Sequence, residues 1–396
     1  MPQLHCPHDR RQSRQRPHSG RDNDVILLDA NASVPPVPAA RAALVRALDV
    51  VANPSSPHGP GRAARRVLDV ARDQVAAACG AFSKDVFFTS GASEGNRLIA
   101  DMLIEAGTRR SRPFVVVTTA LEHPSMLKPL LRAAARGQLI LRNLPLHEEG
   151  VVVTAAAPLL VGADAVVVTA AHNETGLLLN LPALCALLDD EVLLVVDAAQ
   201  SLGRAGAPPD RADAIVCSAH KLGGFAGAGA VVLRRRARAL PPPWAGGGQE
   251  NGLRPGTEAT VLHAAFGAAC AVIDDTRARH ELLRALRDRL EATVVAACGG
   301  RALCSKQARL ANTSAVLFPD VDGDALRLWL DHAGVAVGFG AACSALAPEP
   351  SPGLVALGID VADTRRVVRL SLAPGISESD IDDAGSRIAK VAARLR

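Results

Sequence analysis

Two side chains with complementary chemistry follow apolar runs in this sequence. Asp197 closes the run 192–196, and Lys221 follows the run 214–217 among serine, histidine and glycine residues. In an α/β sheet such strand ends share the edge where ligands bind. A buried lysine is a candidate Schiff-base nucleophile, because burial favours the neutral amine. A pyridoxal phosphate (PLP) site requires such a lysine together with an acid that pairs with the pyridinium nitrogen, and Lys221 and Asp197 are of these types. Taken singly, Lys221 also fits a solvated surface lysine and Asp197 a helix N-cap.

A segment of small residues, 89–96, opens a predicted helix. Free N–H groups at a helix start, with the Ser93 hydroxyl beside them, suit a phosphate group. The alternative is an ordinary helix start with Glu94 in the first turn. The segment lacks the Gly-Lys-[Ser/Thr] ending of a Walker loop, and no Gly-x-Gly-x-x-Gly follows a strand.

Two further segments carry candidate catalytic groups. His123 follows another predicted strand, where a polar turn is the alternative to a residue that stacks on a flat cofactor and moves protons. Cys343 lies among glycine and alanine residues, which favours an exposed nucleophile. The alternative is a buried structural thiol, as we expect for most of the other seven cysteines.

Composition excludes several classes of protein. The net charge of +4 over 396 residues leaves no strongly basic surface for nucleic acid. Eight cysteines without a Cys-x-x-Cys pair form neither a disulfide framework nor a zinc pattern, so we expect a reducing, cytoplasmic compartment and no metal site. No signal peptide and no membrane span are predicted. Residues 1–24, rich in Arg, His, Pro and Ser, are predicted to be a disordered basic tail.

The apolar pattern predicts an α/β fold. Continuous apolar runs are typical of strands covered on both faces of a mostly parallel sheet. We predict a large α/β domain over residues 25–260, including the N-terminal segment, and a smaller α+β domain over 261–396 that carries the Cys343 loop. The strands are predicted at 86–89, 114–118, 139–144, 165–169, 192–196, 214–218 and 230–233, and the helices near 62–79, 94–106, 125–135, 259–298 and at the C-terminus.

Eleven short segments, in this order, resemble those of the cysteine desulfurases and selenocysteine lyases, which are class V, fold-type I PLP enzymes. The resemblance covers about residues 25–396. The segments are Leu28-Asp29-Ala30-Asn31-Ala32, Asn53-Pro54-Ser55-Ser56, Thr89-Ser90-Gly91-Ala92-Ser93-Glu94, Glu122-His123, Asn173-Glu174-Thr175-Gly176, Asp197-Ala198-Ala199-Gln200-Ser201, Ser218-Ala219-His220-Lys221, Gly246-Gly247-Gly248-Gln249-Glu250, Arg254-Pro255-Gly256-Thr257-Glu258, Gly340-Ala341-Ala342-Cys343 and Arg369-Leu370-Ser371-Leu372.

The resemblance implies a role for each site residue. Lys221 would form the Schiff base with PLP and then move the α proton, while Asp197 would pair with the ring nitrogen. His123 would stack on the ring, and Cys343 would become a persulfide as alanine leaves. Arg369 would bind the substrate carboxylate, with Asn173 contributing to substrate binding. The remaining cofactor contacts would be Gln200 and Asn173 at the phenolic oxygen, and Ala92, Ser93, Ser218, His220 and a neighbouring subunit's Thr257 at the phosphate.

The sequence departs from the family pattern at Ala30, Pro124, Phe225 and Ala373. Pro124 matches neither the lysine common in desulfurases nor the aspartate common in selenocysteine lyases. The resemblance therefore implies a cytoplasmic, homodimeric cysteine desulfurase that passes sulfur to an acceptor protein or thiol, with selenocysteine lyase as the nearest alternative and a selenium acceptor in that case. Another class V aminotransferase or lyase, or a non-catalytic scaffold of the same fold, also stays open.

Overall fold

A computed structural model describes residues 25–147, 150–151, 155–339 and 350–396. The tail predicted over residues 1–24 and the predicted nucleophile Cys343 both lie outside the described residues.

The described chain forms a large sheet, a smaller sheet and a short hairpin. In chain order the strands are β1 (Ile26–Leu28), β2 (Val86–Thr89), β3 (Val115–Thr118), β4 (Ile140–Asn143), β5 (Leu146–His147), β6 (Gly150–Val151), β7 (Ala165–Thr169), β8 (Leu193–Asp197), β9 (Ala214–Ser218), β10 (Gly229–Leu233), β11 (Arg301–Ala302), β12 (Thr313–Leu317), β13 (Val335–Phe339) and β14 (Val367–Ser371).

Helices connect most of these strands. They are α1 (Pro38–Ala47), α2 (Gly59–Ala78), α3 (Ala92–Thr108), α4 (Pro124–Ala135), α5 (Ala157–Leu160), α6 (Leu181–Cys185), α7 (Thr260–Ala271), α8 (Ile273–Glu281), α9 (Leu283–Cys298), α10 (Gly323–His332), α11 (Pro352–Ala356) and α12 (Glu378–Leu395). The helical region predicted near 259–298 is thus three consecutive helices, α7 to α9.

The large sheet has the strand order β2-β10-β9-β8-β7-β3-β4. Strand β10 is antiparallel to both of its neighbours, and the pairs from β9 to β4 are all parallel. Both faces are covered: Val166 and Val168 of β7 enter one apolar core, and Ala165 and Val167 enter the other. This double burial explains the continuous apolar runs and confirms the predicted mostly parallel α/β sheet.

The smaller sheet has the order β1-β13-β14-β12-β11 and packs with helices α9, α10 and α12 in its own core. Strand β1 pairs in parallel with β13, so the N-terminal segment, which the sequence groups with the large domain, is a strand of the second sheet. Helix α7, at the predicted start of the small domain, contributes Ala265 and Phe266 to a core of the large sheet.

No helix within the described ranges combines the length and apolar character needed to cross a bilayer. The same residues contain no cluster of three or more His, Cys, Asp or Glu side chains arranged to hold a metal ion.

Candidate active site

A cavity lies at the edge of the large sheet where the parallel strands end. Strands β3, β7, β8 and β9 contribute the residues that follow their carboxyl ends, and the antiparallel β10 begins at the same edge. The lining combines acidic, amine, imidazole and hydroxyl groups. Of the predicted site residues it includes Ala92, Ser93, His123, Asn173, Asp197, Gln200, Ser218, His220 and Lys221.

Asp197 is the buried acid of this cavity, with 4% of its surface exposed. Its Oδ2 accepts a hydrogen bond from Asn96 Nδ2 at 2.7 Å, and its Oδ1 accepts one from the Ala199 backbone at 2.9 Å. Burial of a carboxylate requires such donors. Asn96 also donates to Ser125 Oγ at 3.1 Å, so it fixes the carboxylate relative to the turn that carries His123.

His123 is the N-cap of helix α4, directly after the turn that follows β3. Its Nδ1 lies 2.7 Å from Ser125 Oγ and accepts a hydrogen bond from the Ser125 backbone at 3.2 Å. Pro124 occupies the first helical position, where its missing N–H costs nothing. Burial lowers the pKa of His123, Asp197 raises it and Lys221 lowers it. The ring is thus a neutral, oriented surface on the cavity wall at neutral pH.

Glu122 is a buried acid behind the cavity. Its Oε1 accepts hydrogen bonds from Thr119 Oγ1 at 2.8 Å and from the Thr169 backbone at 2.9 Å. Its Oε2 is buried and has no hydrogen-bond partner among the described residues. Burial raises the pKa of Glu122 from 4.5 to about 8, and the Asp197 charge adds to this shift. Glu122 therefore carries a proton at neutral pH, which spares the site a second buried negative charge.

The Glu122→Gln variant is expected to gain stability over the wild type as pH rises. The folded state holds the Glu122 proton more tightly than the unfolded chain, so this contribution to stability is full below pH 4.5 and is lost as pH approaches about 8. Glutamine keeps the accepting oxygen and has no proton to lose. Between pH 5 and pH 8 the difference in unfolding free energy should grow by on the order of 3 kcal/mol, measured by urea unfolding. A difference that stays constant across this range would contradict the assignment.

The start of helix α3 lies at one end of the cavity. Gly91 precedes the helix, and no side chain caps its first N–H groups. Position 229 admits only glycine, because a Cβ there would lie 2.6 Å from Gly91 Cα and 2.8 Å from Cys217 O. Burial, Lys221 and Arg204 together lower the pKa of His220 to about 4, so its imidazole is neutral. Ser93, Ser218 and His220 line the same cavity and add further polar groups to it.

Glu94 ties this end of the cavity to a second segment. Its carboxylate accepts a hydrogen bond from the Ser90 backbone at 2.6 Å and pairs with Arg254 at 2.7 Å. Thr257, three residues after Arg254, is exposed and does not line the cavity of its own chain.

Arg369 lies on β14 and is 4% exposed. Its Nη1 donates to the Asn173 carbonyl at 3.1 Å, and its Nη2 pairs with Asp29 at 2.5 Å. The Nε atom is buried without a hydrogen-bond partner among the described residues. Asn173 lines the cavity, so Arg369, to which the resemblance gives a substrate-binding role, contacts a residue of the cavity wall. Burial, with the Arg369 charge as the smaller cause, lowers the pKa of nearby His172 to about 3.

Sequence reasoning missed two residues that contact the predicted ones. Asn96 binds Asp197, and Arg204 binds the side chain of Gln200. Both residues lie just beyond the motifs named above: Asn96 is two residues after Glu94, and Arg204 is three residues after Ser201. Their spacing on a sequence gives no indication of which side chains they meet.

Comparison with known proteins identifies the family. The model of the family described as "Aminotransferase class-V" matches residues 26–383. The chain belongs to this family. Its relatives include a cysteine desulfurase of Enterobacter agglomerans, 32% identical over 94% of this chain and 93% of the relative. An IscS-like cysteine desulfurase of Mycobacterium tuberculosis is also 32% identical, over 94% of this chain and 97% of the relative.

A solved NifS-like protein superposes with a TM-score of 0.84 at 25% identity, covering 94% of this chain and all of that one. The resemblance inferred from the motifs and the fold-type I expectation are both confirmed: this is a class-V enzyme chain of the cysteine desulfurase family.

Proposed function

We propose that this protein is a PLP-dependent cysteine desulfurase that converts L-cysteine to L-alanine and leaves the sulfur as a persulfide on Cys343. The observation that carries the proposal is the convergence of Lys221, Asp197 and His123 on one cavity. They come from three different strand ends of the large sheet, and no requirement of core packing explains their meeting.

The donor set of the cavity fits PLP from end to end. The uncapped N–H groups of α3, with Ser93 and Ser218, suit the phosphate group. Asp197, already held by Asn96 and Ala199, suits a protonated ring nitrogen. Lys221 supplies the amine, and the His123 ring stands on the cavity wall to stack on the cofactor. When bound, PLP supplies the electron sink that makes the substrate α proton acidic.

Three residues of this chain have separate roles in the proposed reaction. Arg369 binds the substrate carboxylate with its guanidinium, in place of part of its contact with Asp29. Lys221 removes the α proton and returns a proton to the product. The Cys343 thiolate attacks the substrate sulfur, so that an S–S bond forms and the C–S bond breaks. The electron pair of that bond stays with the Cβ atom, which takes up a proton, and alanine leaves.

The product determines the partners. A persulfide on Cys343 must pass its outer sulfur to an acceptor thiol or protein before the next turnover. We place the enzyme in the cytoplasm as a homodimer, in which Thr257 reaches the phosphate of the neighbouring subunit. No disulfide joins any two of the six cysteines within the described ranges, which is consistent with a reducing compartment.

A side-by-side assay of cysteine and selenocysteine tests the proposal. The PLP-loaded enzyme, with excess dithiothreitol, is expected to form alanine and sulfide from cysteine in equal amounts. Alanine from selenocysteine alone would replace the proposal with selenocysteine lyase. Alanine from neither would point to another class V reaction or to a scaffold.

The Gly338→Ala variant is expected to weaken cysteine binding through Arg369. A Cβ at position 338 would lie 2.5 Å from Arg369 Nε and 2.6 Å from its Cζ, so the guanidinium must move. We expect KM for cysteine to rise about tenfold, with a smaller change in kcat, because one positioned charge contact is worth roughly that factor. Gly59→Ala is the control, since a Cβ at that position meets no atom within 4 Å. An unchanged KM in Gly338→Ala would remove Arg369 from substrate binding.

A further inference from the structure

Arg204 is a large side chain buried completely beneath the cavity, at 2% exposure. Its guanidinium makes four hydrogen bonds. Nη1 donates to Asn31 Oδ1 at 2.6 Å and to Gln200 Oε1 at 2.8 Å. Nη2 donates to the carbonyl oxygens of Ala30 and Lys221, both at 2.9 Å. All four terminal N–H bonds are therefore used, and only Nε is left without a partner among the described residues.

The charge of Arg204 is not balanced by an acid. None of the ion pairs between described residues includes it, and all four of its acceptors are neutral oxygens. Burial, with the Arg369 charge as the smaller cause, lowers the pKa of Arg204 to about 9, so it stays charged at neutral pH. Burying an arginine without a carboxylate is costly, and structural roles are usually filled by paired or apolar residues.

The other titratable groups around Arg204 do not supply the missing negative charge. His280 is buried, and its pKa is lowered to about 3 by burial and by the Arg204 charge. His220 is neutral, for the reasons given above. Lys221 and Arg369 are themselves cationic groups. Asp29 pairs with Arg369, and Asp197 lies in the cavity itself, so neither carboxylate contacts Arg204. The unpaired Arg204 charge therefore favours an anionic oxygen at the Gln200 side of the cavity.

The contact with Gln200 determines which end of that amide faces which partner. A guanidinium only donates, so the Gln200 oxygen must point to Arg204. The Gln200 nitrogen then donates one hydrogen to the Asn31 carbonyl at 3.0 Å and has a second hydrogen to give. Since Gln200 lines the cavity, that second hydrogen is available to a bound ligand. If the residue at position 204 were neutral and able both to donate and to accept, the Gln200 oxygen could face the cavity equally well.

We propose that Arg204 is a positioning residue for the cofactor: it orients the Gln200 amide as a donor toward the phenolic oxygen of bound PLP and holds the backbone of Lys221 at the same time. The inference rests on the proposed function, because it assumes that PLP occupies the cavity. It predicts an effect on the cofactor that does not depend on turnover. The visible absorption of bound PLP changes with its protonation state, and a hydrogen-bond donor and a nearby cation both favour the deprotonated form.

The test compares the PLP-loaded wild type with Arg204→Met, Arg204→Lys, Gln200→Met and the Gln200→Met/Arg204→Met double variant. Absorption is titrated with pH, and PLP affinity is measured by quenching of protein fluorescence in the apoprotein. We expect the apparent spectral pKa of Arg204→Met to rise by about one unit and its PLP affinity to fall about tenfold. Arg204→Lys should lie in between, since an ammonium group keeps the charge but has three donors for four acceptors. When Gln200 is already methionine, the further change Arg204→Met should shift the spectral pKa by clearly less than it does in the wild type.

Arg234→Met is the matched control. Arg234 is also a buried arginine that donates to backbone carbonyls, those of Cys79 and Gly80, but it follows the opposite end of β10 from the cavity. Its loss should lower the thermal midpoint without moving the spectral pKa. If Arg204→Met and Arg204→Lys bind PLP with the wild-type affinity and spectral pKa, the positioning role is wrong. If the wild type itself binds no PLP, the proposed function fails, and this inference fails with it.

Discussion

Replacing Lys221 with alanine is expected to lower the rate of alanine formation from cysteine by at least about a thousandfold. The proposed role of Lys221 is both to hold the cofactor and to move the proton, so its removal should cost more than the loss of one general base. The backbone of Lys221 is fixed by Arg204, and its amine lines the same cavity as Asp197 and His123. No other lysine lines that cavity within the described part of the chain, so no neighbour can take over its role.

Two measurements separate this expectation from simple misfolding. Lys221→Ala should keep its thermal midpoint close to that of the wild type, because the side chain is partly exposed, but bound PLP should be released on gel filtration. Lys128→Ala, an exposed lysine of α4, should leave the rate unchanged. Added primary amines of small size should restore part of the activity of Lys221→Ala. Wild-type rates in Lys221→Ala would remove this lysine from the mechanism.

The predictable part of this protein is the part that local pattern determines. The runs 165–169 and 214–218 were predicted as strands and are strands with the same bounds, since a fully apolar run can be satisfied only inside a sheet covered on both faces. Polar residues directly after those strands must then meet at one edge. That rule brought Asp197 and Lys221 together without any knowledge of the family.

The unpredicted part depends on contacts between distant segments. Arg204 meets Asn31 across 173 positions of sequence, and Asn96 meets Asp197 across 101. Strand β1 joins the second sheet by pairing in parallel with β13. Nothing in the run 26–28 indicates that β13 is its partner. Periodicity describes which face of an element is buried, but not which element covers it. Residues whose role depends on long-range polar contacts are therefore the ones that cannot be predicted from sequence.

Replacing Cys343 with alanine is expected to abolish sulfide and alanine formation from cysteine while PLP binding persists. The reaction needs a thiolate that reaches the substrate sulfur, and the six described cysteines do not provide one: none of them lines the cavity. Five are buried, and Cys185 is partly exposed on α6. A hydrogen bond with Cys79, together with burial, raises the pKa of Cys217, and burial raises the pKa of Cys270 and Cys298, so their thiolates are scarce. Strand β13 ends four residues before Cys343 and lies next to Arg369, the proposed substrate anchor.

The remaining candidate nucleophile is Cys6, so Cys6→Ala and Cys185→Ala are the matched controls and should keep the wild-type rate. Persulfide formation is read directly by mass spectrometry after one equivalent of cysteine is added without reductant: the wild type should gain the mass of one sulfur atom on the peptide that contains Cys343. Cys343→Ala should gain none on any peptide. Alanine formation by Cys343→Ala at the wild-type rate would show that sulfur leaves without this thiol, and the proposed persulfide step would have to be abandoned while Lys221 and Asp197 kept their roles.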